Sequence, residues 1–342
     1  MQLILKSLQK IAILSLVVLF CSGCTGAFLP SLSSSPWEKV ELPTESTMLD
    51  ITFMEDDNSH GWLVGKQSTV LETTDGGATW QSRELDTGDG RSYNFTSISF
   101  VGQEGWIVGD PTIMLHTVDG GQTWSSIVLS AQLPGTTQTI VALGPNAAEL
   151  TTNVGAIYRT EDGGQNWKAM VEEAVGFFRT ISRSDDGRYV TVSSRGNFYS
   201  TWEPGQAAWT QHNRNSSRRL QKMGFTQDGR LWLLARGGSL QLANSNDTED
   251  WGEAINPEFA TSWGFLDLAY RTPDEIWVAG GSGTLLRSID GGQTWEKDET
   301  VADAPNLYEI EFFAPDRGFI LEQGNTMLRY VGSTTDGAEG TV

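Results

Sequence analysis

The sequence predicts an all-β chain folded as a seven-bladed β-propeller, with the last blade closed by a strand from the N-terminus. Three observations predict it. A tryptophan recurs as Trp37, Trp80, Trp124, Trp167, Trp209, Trp251 and Trp295, at intervals of 42 to 44 residues. Four of these end near-identical strings: TTDGGATW at 73–80, TVDGGQTW at 117–124, TEDGGQNW at 160–167 and SIDGGQTW at 288–295. Short β-rich runs precede the tryptophans by about eighteen residues, among them GWLVG at 61–65, GWIVG at 105–109, LWLLA at 231–235 and IWVAG at 276–280. A period of this length with about four strands per repeat is that of a propeller blade. The 38 Gly and 13 Trp among 342 residues fit many short strands, glycine turns and aromatic packing.

Within the first repeat, strand a is expected at Leu49–Met54, strand b at Gly61–Val64, strand c at Val70–Thr73 and strand d at Trp80–Leu85. The box then forms the turn from c to d. There Asp75, Asp119, Asp162 and Asp290 accept hydrogen bonds from turn backbone, the paired glycines permit positive φ, and the tryptophan packs between blades. After Trp295 three more strand-like runs follow, at 307–313, 318–321 and 326–330, without a closing tryptophan. Residues 37–42 supply the missing outer strand, which removes a free sheet edge and locks the ring.

The ends of the chain read differently. Lys6 and Lys10 precede the apolar run 11–20, too short to span a membrane stably and typical of a secretory signal. It ends in Cys21-Ser22-Gly23-Cys24, similar to a bacterial lipobox with Cys21 in place of the usual Leu. The domain reading is therefore a lipoprotein signal peptide at 1–23, a tether at 24–35 lipidated on Cys24, the propeller at 36–332 and a flexible tail at 333–342. Two acyl signals on one N-terminus would hold the chain firmly to a membrane.

A net charge of -20 excludes a generally basic binder such as a nucleic-acid protein, and two cysteines exclude a disulfide framework. The charge is unevenly spread. Residues 175–240 carry nine of the sixteen arginines and Lys222 against four acids, a net +6, so the remainder is -26. Repeat equivalence puts Arg195 and Arg236 in b–c turns, Arg179 at the start of a strand a, and Arg214, Arg218 and Arg219 in a d–a loop. Both loop types open on one face, so these six should converge as a partner-binding patch. Arg188 and Arg230, in a–b turns, should point to the other face. Arginine in preference to lysine suits bidentate contact with carboxylates or phosphates.

The boxes resemble the Asp-boxes of the sialidase-like repeat families, which include hydrolases and binding proteins alike. Phe178-Arg179-Thr180-Ile181 is faintly similar to a sialidase arginine signature, but lacks its Pro, and no Tyr–Glu pair stands in the loops of the arginine face. His60, His116 and His212 are isolated in sequence and form no metal spacing or triad. No catalytic residue, metal or cofactor is expected; an exported Asp-box glycosidase or sialidase-like enzyme is the alternative reading.

From Trp37 to Tyr330 the chain, and most closely GWLVGKQSTVLETTDGGATW (61–80) with GWIVGDPTIMLHTVDGGQTW (105–124), resembles the photosystem II stability/assembly factor family of cyanobacteria and chloroplasts. The resemblance implies a non-enzymatic factor for early assembly and repair of photosystem II, stabilising newly made precursor D1 and promoting its joining with D2. It also implies a lipid anchor on the lumenal side of the thylakoid membrane. The short bacterial leader fits a cyanobacterial member. A monomer whose partners are precursor D1 and reaction-centre assembly intermediates is expected, with no nucleic acid.

Overall fold

Each box closes a hairpin, and seven hairpin-built sheets follow one another along the chain. The computed structural model describes residues 29–171, 176–214, 216–257 and 264–332. Cys24, the leader and the tail from 333 lie outside them, so the lipidation and tail expectations do too. Blade one is β2 (Met48–Phe53), β3 (Gly61–Gly65), β4 (Val70–Thr73) and β5 (Gln81–Ser82). Blade two is β6 (Asn94–Val101) to β9 (Ser125–Ser126), and blade three β10 (Thr137–Gly144) to β13 (Lys168–Ala169). Blade four is β14 (Phe178–Arg183), β15 (Tyr189–Ser193), β16 (Phe198–Trp202) and β17 (Thr210–Asn213). Blade five has β18 (Leu220–Phe225), β19 (Leu231–Ala235) and β20 (Ser239–Leu242), while blade six runs from β21 (Phe265–Tyr270) through β22 (Ile276–Gly280) to β24 (Glu296–Lys297).

Blade seven joins the two ends of the chain. Its own strands are β25 (Leu307–Ala314), β26 (Arg317–Glu322) and β27 (Thr326–Tyr330), and β1 (Trp37–Glu41) pairs antiparallel with β27, Trp37 opposite Tyr330 and Glu41 opposite Thr326. The closure read from the tryptophan series is the closure observed. Residues 31–35, assigned above to the tether, lie docked on blade six. Ser31 bridges Lys297, the Leu32 N–H donates to the Lys297 carbonyl at 2.9 Å, and Ser35 Oγ donates to Asp298 Oδ2 at 2.6 Å. Strand d is shorter than expected, two residues in blade one rather than six, because blade twist carries the outer edge away from its partner.

The core lies between blades as an aromatic ladder. Trp124 of blade two meets Trp62 of blade one edge-on at 6.2 Å, Trp167 meets Trp106 at 6.1 Å, and Trp37 meets Trp277 at 5.4 Å. Trp62, Trp106 and Trp277 are fully buried. Such pairs add about 1 kcal/mol each beyond the burial of their area. The second glycine of the box makes the approach possible at Trp62 and Trp106, through Gly121 and Gly164. Gly121 sits at φ 85°, and a Cβ there would stand 2.4 Å from the Trp62 ring.

One feature repeats in all seven inner strands: a bulge after the first pair, or after the second in blade two, at Leu49, Thr96, Gln138, Arg179, Gln221, Leu266 and Tyr308. A bulge re-aims one side chain and increases twist. In blades four and five the re-aimed residues are Arg179 and Gln221.

Candidate functional site

The boxes occupy one face and their geometry is self-contained. In the first, Thr73 Oγ1 donates to Asp75 Oδ1 at 2.8 Å, and Asp75 accepts from the Thr79 N–H at 2.8 Å and the Thr79 hydroxyl at 2.6 Å. Asp119, Asp162 and Asp290 repeat the pattern. Bonds from the Thr123 and Thr294 side chains, followed by their backbone N–H groups, hold the Asp119 and Asp290 carboxyls down at about 2. The glycine after each Asp donates to the a–b turn of its own blade, Gly76 to Ser59 and Gly120 to Gln103 at 2.8 Å.

The same face takes Arg188 and Arg230. Arg188 Nε lies 2.8 Å from Asp186 Oδ2 and its Nη2 donates to the Gly229 carbonyl of the next blade; Arg230 Nε lies 2.8 Å from Asp228 Oδ2. Bonding to the Arg188 side chain, then to Ser184, holds Asp186 at about 2.

The opposite face is built from b–c turns and d–a loops, and carries Arg179, Arg195, Arg214, Arg218, Arg219 and Arg236. Backbone bonds tie together the segments that carry three of them, Arg195, Arg219 and Arg236. The Arg236 N–H donates to the Arg219 carbonyl at 2.9 Å, and the Leu220 N–H donates to Gly196 beside Arg195 at 2.8 Å. Arg179, aimed by its bulge, donates to Gln221 Oε1. Burial, then repulsion by Arg236 and Arg219, lowers its pKa from the usual arginine value, which places the three guanidiniums within electrostatic range. Arg214 and Arg218 stand further out. Arg214 Nη2 donates to Gln241 Oε1 at 2.8 Å, and Arg218 Nη1 to Asn256 Oδ1 at 2.6 Å. Five of the six are exposed and Arg214 is half-buried.

Among the described residues, none of the six has a carboxylate partner. Elsewhere Arg83, Arg91, Arg159, Arg183, Arg287 and Arg329 are each within 4 Å of one. Three of the face's arginines, Arg179, Arg214 and Arg218, are oriented by neutral side-chain amides, which fix geometry without neutralising the charge. Sequence reading located the arginines but missed Gln221, Gln241 and Asn256, because an exposed amide carries no signal until its neighbour in another blade is known.

It also missed the channel. A cavity of about 900 Å³ runs between the inner strands of all seven blades and gathers Asp50, Lys222, Asp267, Glu309 and Glu311. Lys222 Nζ lies 2.9 Å from Asp267 Oδ2, and the same oxygen accepts from the Ile310 N–H of blade seven at 3.0 Å. Asp50 accepts from the Ile98 N–H of blade two at 2.9 Å, and Ser97 from the Ile140 N–H of blade three at 3.3 Å. In blades one, two, five and six the residue after the bulge thus staples its inner strand to the next. Aligning the repeats on the bulge brings Asp50, Ser97, Lys222, Asp267 and Glu309 into register, a signal the box alignment does not reach. Burial pushes Asp50 up to about 6 against the bonds from Ile98, Ser97 and Ile51. Burial, then the Asp50 and Asp267 charges, pushes Glu311 up to about 8.

The histidines that look isolated in sequence each find a glutamate. His60 Nε2 lies 2.7 Å from Glu72, His116 Nε2 2.8 Å from Glu104, and His212 Nδ1 3.0 Å from Glu249. Each ring also lies against an aromatic neighbour, Trp62, Trp106 or Tyr199.

Comparison with known proteins agrees with this architecture. The sequence profile of the family described as photosynthesis system II assembly factor YCF48 matches residues 29–331. The photosystem II assembly lipoprotein Ycf48 of Trichormus variabilis is 58% identical over 328 residues, spanning 96% of this chain and 95% of that one. A solved structure of YCF48 bound to D1 peptide superposes with a TM-score of 0.86 at 55% identity, over 90% of this chain and all of that one. The structure of YCF48 from Cyanidioschyzon merolae gives 0.81 at 40% identity, over 87% and 99% of the two chains. With a matching profile, high identity along nearly its full length and the same seven-bladed ring, the chain belongs to the Ycf48 family of photosystem II assembly factors.

Proposed function

We propose that this protein is a non-enzymatic factor that captures newly synthesised precursor D1 through its arginine face, stabilises it and promotes its joining with D2. The carrying observation is the set of six arginines that share one face without a carboxylate partner among the described residues. A relative's structure with a D1 peptide supports the choice of partner. Uncompensated guanidiniums on a body of overall negative charge suit an acidic segment, or one ending in a carboxylate, on the lumenal side of D1. A lipid on Cys24 would confine the propeller to the lumenal thylakoid surface and raise its effective concentration near nascent membrane proteins.

The glycosidase alternative needs two carboxylates free to flank a substrate. In this fold the gathered acids lie in the channel, where Asp50 and Asp267 are bonded to backbone of the neighbouring blades. The test is affinity purification of the tagged protein from solubilised membranes. Precursor D1 and chlorophyll-binding assembly proteins should co-purify, and should be lost when Arg195, Arg219 and Arg236 are all changed to Glu. Undiminished capture by the triple variant refutes the reading.

A further inference from the structure

Blade five is unlike its neighbours. Among the described residues no regular fourth strand follows β20, and the chain returns through two isolated bridges, Ala243 with Trp251 and Leu240 with Ile255. Where blades four and five meet lies a groove of about 540 Å³, walled by Arg214, Arg218, Gln241, Asn256, Tyr199 and Trp251. Its cations are set in advance. Arg214 Nη1 also reaches the Arg218 carbonyl at 3.4 Å, and partial burial lowers the Arg214 pKa without removing its charge. The aromatic wall is latched as well: Trp251 Nε1 donates to the Tyr199 hydroxyl at 3.2 Å, which donates to the Thr248 carbonyl at 2.5 Å.

We propose that this groove is a second anion site that takes a single carboxylate of an extended peptide, separate from the cluster of Arg179, Arg195, Arg219 and Arg236. It rests on the reading of this face as the partner-binding one. Two observations favour a carboxylate over a phosphate. Glu249 also lines the groove and repels a dianion more than a monoanion. Gln241 and Asn256 accept from the two arginines and donate to the Gly252 and Ala254 carbonyls, and Asn213 accepts from Gln211. Each amide still keeps a second lone pair and at least one further N–H, a donor and acceptor set that matches peptide backbone, whereas a phosphate chiefly accepts. The Trp251 and Tyr199 surface receives the apolar part of an adjoining residue. A cavity of this size holds a few residues of chain and not a folded domain.

The probe is a labelled peptide of the precursor D1 C-terminus, titrated against the intact protein by fluorescence anisotropy. It is made as the free acid, as the C-terminal amide, and with its acidic side chains changed to amides. Gln241→Glu supplies Arg214 with an internal carboxylate and should weaken binding about tenfold, as expected for loss of one charge-assisted contact. Arg214→Gln should do the same should the first variant disturb the Gln241 bond to Gly252. In the parent, either amidation or side-chain neutralisation should cost a similar factor and so identify the carboxylate; in both variants that cost should vanish. Binding by the variants equal to the parent, or an undiminished cost of neutralising the peptide, overturns the groove. Displacement by inorganic phosphate at lower concentration than by acetate overturns the carboxylate assignment. Should the triple variant Arg195→Glu, Arg219→Glu, Arg236→Glu lose the peptide while the groove variants keep it, the groove alone falls; should the triple variant keep it too, the reading of the face falls.

Discussion

Blades four and five carry arginines on both faces, and the two sets are treated in opposite ways. On the box face Arg188 and Arg230 each lie 2.8 Å from an aspartate two residues earlier in the same turn. On the other face Arg179, Arg214 and Arg218 are held by Gln221, Gln241 and Asn256. The first arrangement neutralises the charge locally and ties turn to turn. The second orients the guanidinium and leaves its charge without a nearby carboxylate. A neutral amide is the fitting holder there, since a carboxylate would already occupy the site an acidic ligand needs.

The strongest way to break the contrast is to remove the scaffold that both faces share. Deleting residues 36–42 takes β1 from β27 and removes Trp37 from its contacts with Trp277 and Tyr330. The melting temperature should fall by more than about ten degrees, several times the effect of a point change in a chain this size. A shortened protein melting with the parent would show that closure contributes nothing.

The next largest effect separates the faces. Changing Arg195, Arg219 and Arg236 to Glu should reduce D1 capture by about a hundredfold or more while the melting temperature stays within about two degrees. Arg188→Glu with Arg230→Glu should give the reverse, lower stability and unchanged capture. Raising ionic strength from 0.05 M to 0.5 M should weaken capture by the parent far more than it lowers the melting temperature, because the face's charges are exposed. Equal losses of binding from the two sets of substitutions would erase the distinction.

Box chemistry and channel chemistry should also respond oppositely to pH. Asp119 and Asp290 are held at about 2, below their unfolded value of 3.8, so their contribution is present above that value and is lost as pH falls toward 2. Glu311 is raised to about 8 and Asp50 to about 6, above their unfolded values. Their contribution is complete below about pH 4 and is lost as pH rises through 6 to 8. Thermal melts should therefore show stability declining between pH 5 and 9, with a slope that Glu311→Gln reduces. A variant whose slope matches the parent would remove Glu311 as the source. The smallest effect is Asp119→Ala, a drop of a few degrees that is full above about pH 4, where the carboxylate is charged in both states, and fades as pH falls toward 2.

Much of this was legible without coordinates. The tryptophan period counted the blades, the box string located the c–d turns, and the absence of a closing tryptophan after Trp295 pointed to Trp37 for the last strand. These signals are local in sequence because each blade is a meander of neighbouring strands, so pattern and fold share one period. Loop equivalence likewise separated the arginines by face, since the a–b and c–d turns of every repeat point one way.

Tertiary structure decided what depends on neighbours a blade or more away. That Arg179 rests on Gln221, that Asp50 staples Ile98, and that residues 31–35 dock on blade six are contacts between segments at least 42 residues apart. The identities of Gln221 or Ser31 alone carry no trace of them. The same holds for blade five, where weak periodicity at Trp251 becomes, in three dimensions, two isolated bridges and a groove beside Arg214. Sequence determined the ring and which loops carry the arginines; only the packing of one blade on the next decided which of those charges lie against a carboxylate and which against a neutral amide.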